Sequence, residues 1–272
     1  SLSKGLHLDI SDRQLLIACG AGAGLASVYQ VPFASALFVL ETLGVSWTLK
    51  NIIIIFATTY VSAYCAKPIV GGHALYIVDT VTIDSSSFIQ AIILALFVTP
   101  FAIIFGYFAK KASSHRITGK EILWTLPFAF LILGGLSAYF PIFMGNGQVL
   151  AQWIFSGNSS AYLPVILIIK CLLVCLLLRS GAYGGTLTPS FALGVGTGYL
   201  ITVLLGNFGF SHSLSLGMLL GATVFLGTTL DAPLTGIALV VGFTGTGGVI
   251  VFPLILASIL SRIINNKWKE RV

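Results

Sequence analysis

An all-α, polytopic membrane protein is the fold class this sequence predicts, and three observations carry it. Only 8% of the 272 residues are charged, 57% are hydrophobic, and mean hydropathy is +1.01. Soluble domains carry about 25% charged residues. Runs such as "FIQAIILALFVTPFAIIFGYFA" (88–109), "ILWTLPFAFLILGGLSAYF" (122–140) and "AYLPVILIIKCLLVCLLL" (161–178) each approach the roughly 20 residues needed to cross a bilayer. None of the apolar segments shows the short alternation of a membrane β-barrel.

The elements follow in order. The chain opens "SLSKGLHLDI", without Met or a cleavable signal pattern, and reads as a piece of something longer, the alternative being a processed N-terminus. About ten helical segments follow, of which 31–43, 189–204 and 233–244 read as too short to cross. Short and re-entrant helices are tolerated in a membrane only where they are buried in protein or line a cavity. Lys110, Lys111, Arg116 and Lys120 share one loop, and Arg262, Lys267, Lys269 and Arg271 share the tail. Both clusters read as cytoplasmic by the positive-inside rule, so the net charge of +6 marks topology rather than nucleic-acid binding. The loop 67–87 holds Asp79 and Asp84 with only Lys67, and reads as external. Cys19, Cys65, Cys171 and Cys175 all lie in apolar segments and read as small buried hydrophobes. Cys171 and Cys175 share a helix face, but no His or carboxylate joins them, and a metal site needs more ligands. His7, His73, His115 and His212 show no convergent spacing.

One stretch breaks the apolar pattern. "RSGAYGGTLTPSFALG" (179–194) crowds glycine, proline and hydroxyl residues between two apolar runs. Glycine lets backbone turn tightly and proline suits a first helical turn, so Thr-Pro after Gly-Gly reads as a helix start. Unused N–H groups there, with the positive end of the helix dipole, form an anion site. The bland alternative is a tight turn whose small residues allow close helix packing.

An internal repeat favours a site. Residues 20–41 and 221–242 align without gaps at an offset of 201. Gly20 and Ala21 match Gly221 and Ala222, Pro32 matches Pro233, and Val39 matches Val240. Each copy has a small-residue helix, a polar residue (Gln30 or Asp231), X-Pro, and a second short apolar helix. Inverted repeats are common in secondary transporters, whose substrates bind near the midplane at discontinuous helices. At the same offset, the partner of 181–189 would precede Ser1.

Three segments together resemble the CLC family of chloride channels and chloride–proton antiporters. "GAGAGLASVYQVPFASALFVLE" is similar to its small-residue helix, Asn-Ala-Pro turn and "LFxxE" helix. "SGAYGGTLTPSFALG" resembles its "SGxxGGxFxPxLxLG" signature, and "DAPLTGIALVV" its "xAPLTGIxLVxE" segment. The likeness is to bacterial members without cytoplasmic CBS domains. It implies an inverted-repeat CLC-like fold in a homodimer, with the chain a C-terminal piece. Residues 1–66 would end the first repeat, 67–87 would be the external loop, 88–246 the second repeat, and 247–272 the last helix and tail. It also implies that the motifs carrying the gating glutamate and the central serine precede this chain. Anion-binding amides map to Gly185, Thr186 and Leu187, the last a departure from the usual Phe. The central tyrosine would fall near Gly247, where none stands. The inner proton-transfer glutamate corresponds to Thr42, which puts the familiar proton route in doubt.

Glu41 is the only acid in a long apolar stretch, and so a candidate for coupling or gating. Its alternative is a helix-end residue with local hydrogen bonds. Arg179 could draw anions toward a vestibule or simply snorkel from its helix end. The leading expectation is a voltage-gated-type chloride channel or chloride/proton antiporter of the bacterial plasma membrane, with no cofactor or metal and no enzymatic activity. A fluoride-selective CLC-type transporter and an unrelated inverted-repeat transporter of small solutes are the alternatives. An intramembrane enzyme is disfavoured, since no Ser/His, paired-Asp or His-rich zinc arrangement appears.

Overall fold

The computed structural model describes residues 9–158, 160–207 and 213–270. His7, His212 and Arg271 lie outside the described residues. The described residues form eleven α-helices, three 3-10 turns and no strand. The helices are α1 (Ile10–Tyr29), α2 (Pro32–Thr42), α3 (Leu49–Val70), α4 (Ser85–Ser114), α5 (Ile122–Tyr139) and α6 (Gln148–Phe155). They continue with α7 (Leu163–Arg179), α8 (Leu187–Asn207), α9 (Leu214–Leu230), α10 (Pro233–Thr244) and α11 (Val251–Lys269). Among the described residues, five helical stretches are long and apolar enough to cross a membrane: Leu49–Val70, Ser85–Ser114, Gly119–Tyr139, Leu187–Asn207 and Gly248–Lys269.

Two expectations need correction. The segment expected to be short at 189–204 is the 21-residue α8, because Leu187 and Thr188 join its start and the apolar run carries it to Asn207. The loop expected from 67 begins only at Gly71, since α3 continues through Pro68 to Val70. Elsewhere local chemistry sets the ends. Asp84 and Ser87 form a reciprocal capping box at the start of α4, and Ser213 accepts from the Leu216 amide at the start of α9. Pro32 and Pro233 open α2 and α10, where the missing N–H costs no helical bond.

The chain divides into two compact units. In the first, Ser1–Leu75 with Ile237–Gly247, the core joins Leu15, Ala18 and Cys19 of α1 to Val39 and Leu40 of α2 and Ile55 of α3. A Cβ at Gly22 would stand 2.4 Å from Val39, so that glycine permits the close approach of α1 and α2. In the second, Tyr76–Gly236 with Gly248–Val272, α4 packs against α7, α8, α9 and α11, and α8 packs most extensively against α9. Gly194 and Gly198 of α8 meet Gly217 and Gly221 of α9 backbone to backbone, small residues replacing the hydrophobic driving force that lipid cannot supply.

The two repeat copies share their local geometry. Gln30 (φ 55, ψ 38) and Asp231 (φ 55, ψ 33) each end a helix in the left-handed conformation. They are the non-glycine residues with positive φ among the described residues. Each is followed by one connecting residue and a helix-opening proline. The Ser35 amide bonds the Val31 carbonyl at 2.9 Å, and the Gly236 amide bonds that of Ala232 at 3.0 Å.

Candidate functional site

The Gly-rich break is built by the way α7 ends. Ala182 N–H reaches back to the Leu177 carbonyl at 3.1 Å, and Gly181 between them sits at φ 114. This is a Schellman closure, which needs a residue free to be left-handed. The space demands glycine too: a Cβ there would lie 2.5 Å from Ile122. Gly184 and Gly185 are exposed, and Thr186 and Leu187 are half-buried. α8 opens at Leu187, and the Thr186 carbonyl accepts the Ser190 amide at 2.8 Å. Pro189 carries no N–H. The amides of Leu187 and of Gly185 and Thr186 ahead of it therefore fall outside the helical ladder, at the positive end of its dipole. Ser190, wholly buried one turn in, has a hydroxyl with no hydrogen-bond partner among the described residues.

Aromatic and polar contacts hold this helix start in place. Phe191 stacks flat on buried Tyr76, with centroids 4.6 Å apart and planes within 8°. Phe155 of α6 tilts against both. The Gln152 side-chain amide pairs with the Ile77 backbone at 3.0 and 3.2 Å, tying the Tyr76 segment to α6. Gly147 (φ 107) seats against Thr188, Pro189 and Ala192.

The basic loop docks beside the break. Ile117 N–H donates to the Arg179 carbonyl at 2.9 Å, the Arg179 guanidinium donates to the His115 carbonyl, and Thr125 donates to the Ser180 carbonyl at 3.0 Å. The Arg116 guanidinium lies 4.1 Å from the Tyr183 ring centroid, a cation–π contact. Arg179 is thus a helix-end residue engaged with the loop, and the loop's positive charge stands next to the exposed glycines.

The other residues singled out in the sequence sit elsewhere. Glu41 and Thr42 form the last turn of α2, half-buried ahead of exposed Leu43 and Gly44. Gly247 is exposed between α10 and the 3-10 turn Gly248–Ile250. These three belong to the first compact unit, whereas Gly185, Thr186 and Leu187 belong to the second. Among the described residues no group of three or more His, Cys, Asp or Glu side chains could hold a metal ion.

Sequence reading missed Lys170. It is 2% exposed within α7 and donates to the Phe143 and Gly145 carbonyls at 3.0 and 2.9 Å. The signal was present, a single lysine inside "LPVILIIKCLLVCLLL". Tyr76 and the Arg116–Tyr183 contact left no such trace, because they join residues far apart in the chain.

Comparison with known proteins gives a consistent picture. A family model described as "Voltage gated chloride channel" matches residues 1–266. The voltage-gated ClC-type chloride channel ClcB of Citrobacter koseri is 28% identical over 261 residues, covering 92% of this chain and 62% of its own. ClcB of Escherichia coli O17:K52:H18 is 27% identical over 271 residues, covering 93% and 62%. Among solved structures, a slow cyanobacterial Cl⁻/H⁺ antiporter superposes with a TM-score of 0.81 at 21% identity, over 98% of this chain and 64% of that one. A CLC-type fluoride/proton antiporter superposes with a TM-score of 0.75 at 18% identity, over 93% and 63%. The chain therefore spans somewhat under two thirds of the length of these relatives, and the fold is theirs. The family match sets aside the reading as an unrelated transporter. With its apolar helices and a family model matched across residues 1–266, the chain is an integral membrane protein that belongs to the voltage-gated chloride channel (CLC) family.

Proposed function

We propose that the protein containing this chain moves small anions, chloride foremost, across a bacterial plasma membrane as a channel or proton-coupled antiporter. The anion binds at the backbone amides of Gly185, Thr186 and Leu187. The observation that carries this reading is the break itself: Leu187 opens a long apolar helix with a proline at its third position and unbonded buried hydroxyl at Ser190. Amides at such a start favour an anion, and a desolvated anion needs fixed donors in place of water. Arg116 and Arg179 beside the exposed glycines raise the local anion concentration through their field. The protein acts as a homodimer in lipid, without cofactor or metal, and is not an enzyme.

Thr42 cannot carry a proton at physiological pH. The protein therefore either conducts anions without fixed proton exchange or uses Glu41, one residue away, in that role. The decisive experiment has two arms on the full-length protein. Crystals soaked in bromide should show anomalous density at the Thr186 and Leu187 amides, and density confined to other places would refute the site. Liposome vesicles should show chloride flux, and chloride-driven proton uptake, if present, should vanish in Glu41→Gln. Robust uptake that survives the substitution contradicts both branches.

A further inference from the structure

Lys170 is the one lysine or arginine among the described residues that is fully buried. It lies on the inward stripe of α7, with Leu163, Leu167, Val174 and Leu178. Leu167, one turn before it, is the side chain against which Gly196 of α8 packs. Its ammonium makes two hydrogen bonds, both to neutral backbone carbonyls, and the ion pairs of the described residues, Lys50–Asp12 and Lys269–Asp231, do not include it. A charge buried among apolar helices without a carboxylate is costly, and such charges mark functional positions.

Its contacts lead to the start of α8. Phe143 closes the 3-10 turn Pro141–Phe143, and Gly145 (φ 63) and Gly147 (φ 107) carry the chain from that turn into α6. A Cβ at Gly147 would stand 3.0 Å from Ala192 Cβ, and 3.6 Å from both Pro189 Cα and the Thr188 carbonyl. The turn that Lys170 clamps is therefore the wall on which the first turns of α8 rest. The same α6 carries Phe155 against Phe191.

We propose that Lys170 is a positioning residue for the anion site: it pins the Phe143–Gly145 turn, so that Gly147 seats the first turns of α8, and its charge adds to the positive end of that helix. The inference rests on the anion-site reading above and deepens it. Both parts act together, since the ammonium holds the wall and supplies charge to a region where no carboxylate among the described residues pairs with it.

The test measures chloride binding calorimetrically on the purified full-length protein, with folding checked by gel filtration and thermal unfolding. Lys170→Met and Lys170→Gln should weaken chloride binding at least tenfold while the protein remains folded. Leu167→Ala, which removes packing from the same face of α7 without touching the turn, should lower thermal stability and leave affinity within about twofold of wild type. Folded Lys170 variants that bind chloride as wild type does would overturn the proposal. So would an equal loss of affinity in Leu167→Ala, because packing alone would then account for it. Where Lys170→Met is not recovered folded, Lys170→Gln decides. Wild-type protein that binds no chloride refutes the anion-site reading itself, a failure read from the wild-type trace before any variant is compared.

Discussion

Gly198→Ala should be among the most damaging single-methyl additions in this protein. An ideal Cβ at Gly198 would lie 2.3 Å from the Gly217 carbonyl oxygen and 3.0 Å from Gly221 Cα. Ordinary carbon–oxygen contact in close helix packing is about 3.3–3.6 Å, so α8 and α9 must part by about 1 Å. Nothing flexible can yield, because the obstructing atoms are backbone. The shift spreads along the crossing: Gly194 stands under the same constraint against Ala222 and Gly221. Overpacking of a tight core costs about 1–3 kcal/mol, and a gap approaching 1 Å forfeits up to about half of each affected dispersion contact. Alanine's helical advantage over glycine, about 1 kcal/mol in water, opposes this but is smaller than the combined cost. A net loss of about 2 kcal/mol follows. It is measurable by equilibrium unfolding in mixed micelles, followed by helical circular dichroism. Gly206→Ala is the control, since a Cβ there would meet nothing within 4 Å among the described residues. If Gly198→Ala and Gly206→Ala unfold within about 0.5 kcal/mol of each other, the close crossing does not support the second unit as argued.

Other outcomes follow from the same geometry. Leu187→Pro removes one amide at the first helical position, where proline is tolerated, and should weaken bromide or chloride binding about tenfold with helicity unchanged. Unchanged affinity would remove Leu187 from the site. Gln30→Val and Asp231→Val each place a β-branched residue at φ 55 and should each cost about 1–3 kcal/mol in the same unfolding assay. A neutral result at either would break the likeness of the two copies. Hydrogen bonds from Ser86 and Ser87 hold the Asp84 carboxyl below its ordinary value of 3.8. Its contribution is thus fully present above that value and is lost as pH falls through the lowered one. Wild type should be more stable than Asp84→Ala at neutral pH, and the difference should shrink as pH drops below about 4; a pH-independent difference would refute the charge argument.

Much of this was legible from sequence for physical reasons. A bilayer demands long apolar runs, so α4, α5 and α7 announced themselves within a few residues. Proline and glycine punctuate locally, so a helix start just after Gly-Gly and the start of α10 at Pro233 could be read directly, the former to within two residues. The repeat was visible because each copy needs the same end: a left-handed residue, a connector, then proline. The boundary errors arose where no punctuation exists. Nothing local stops α8 near residue 204, and Pro68 sits within α3 because a helix in an apolar setting keeps its remaining hydrogen bonds on either side.

Tertiary structure alone decided what surrounds the break. The sequence determined that a helix begins after Gly-Gly-Thr, since that depends on backbone preferences of adjacent residues. It could not determine that Tyr76 stacks on Phe191, that the basic loop bonds Arg179 and Thr125 of α5 bonds Ser180, or that Lys170 clamps the turn beneath Gly147. Those contacts join residues tens of positions apart, and packing selects them only once the helices have found their neighbours. The glycines show both halves of the division. Gly181 was readable as a turn residue from its neighbours, yet only the fold reveals that Ile122 leaves no room for a side chain there.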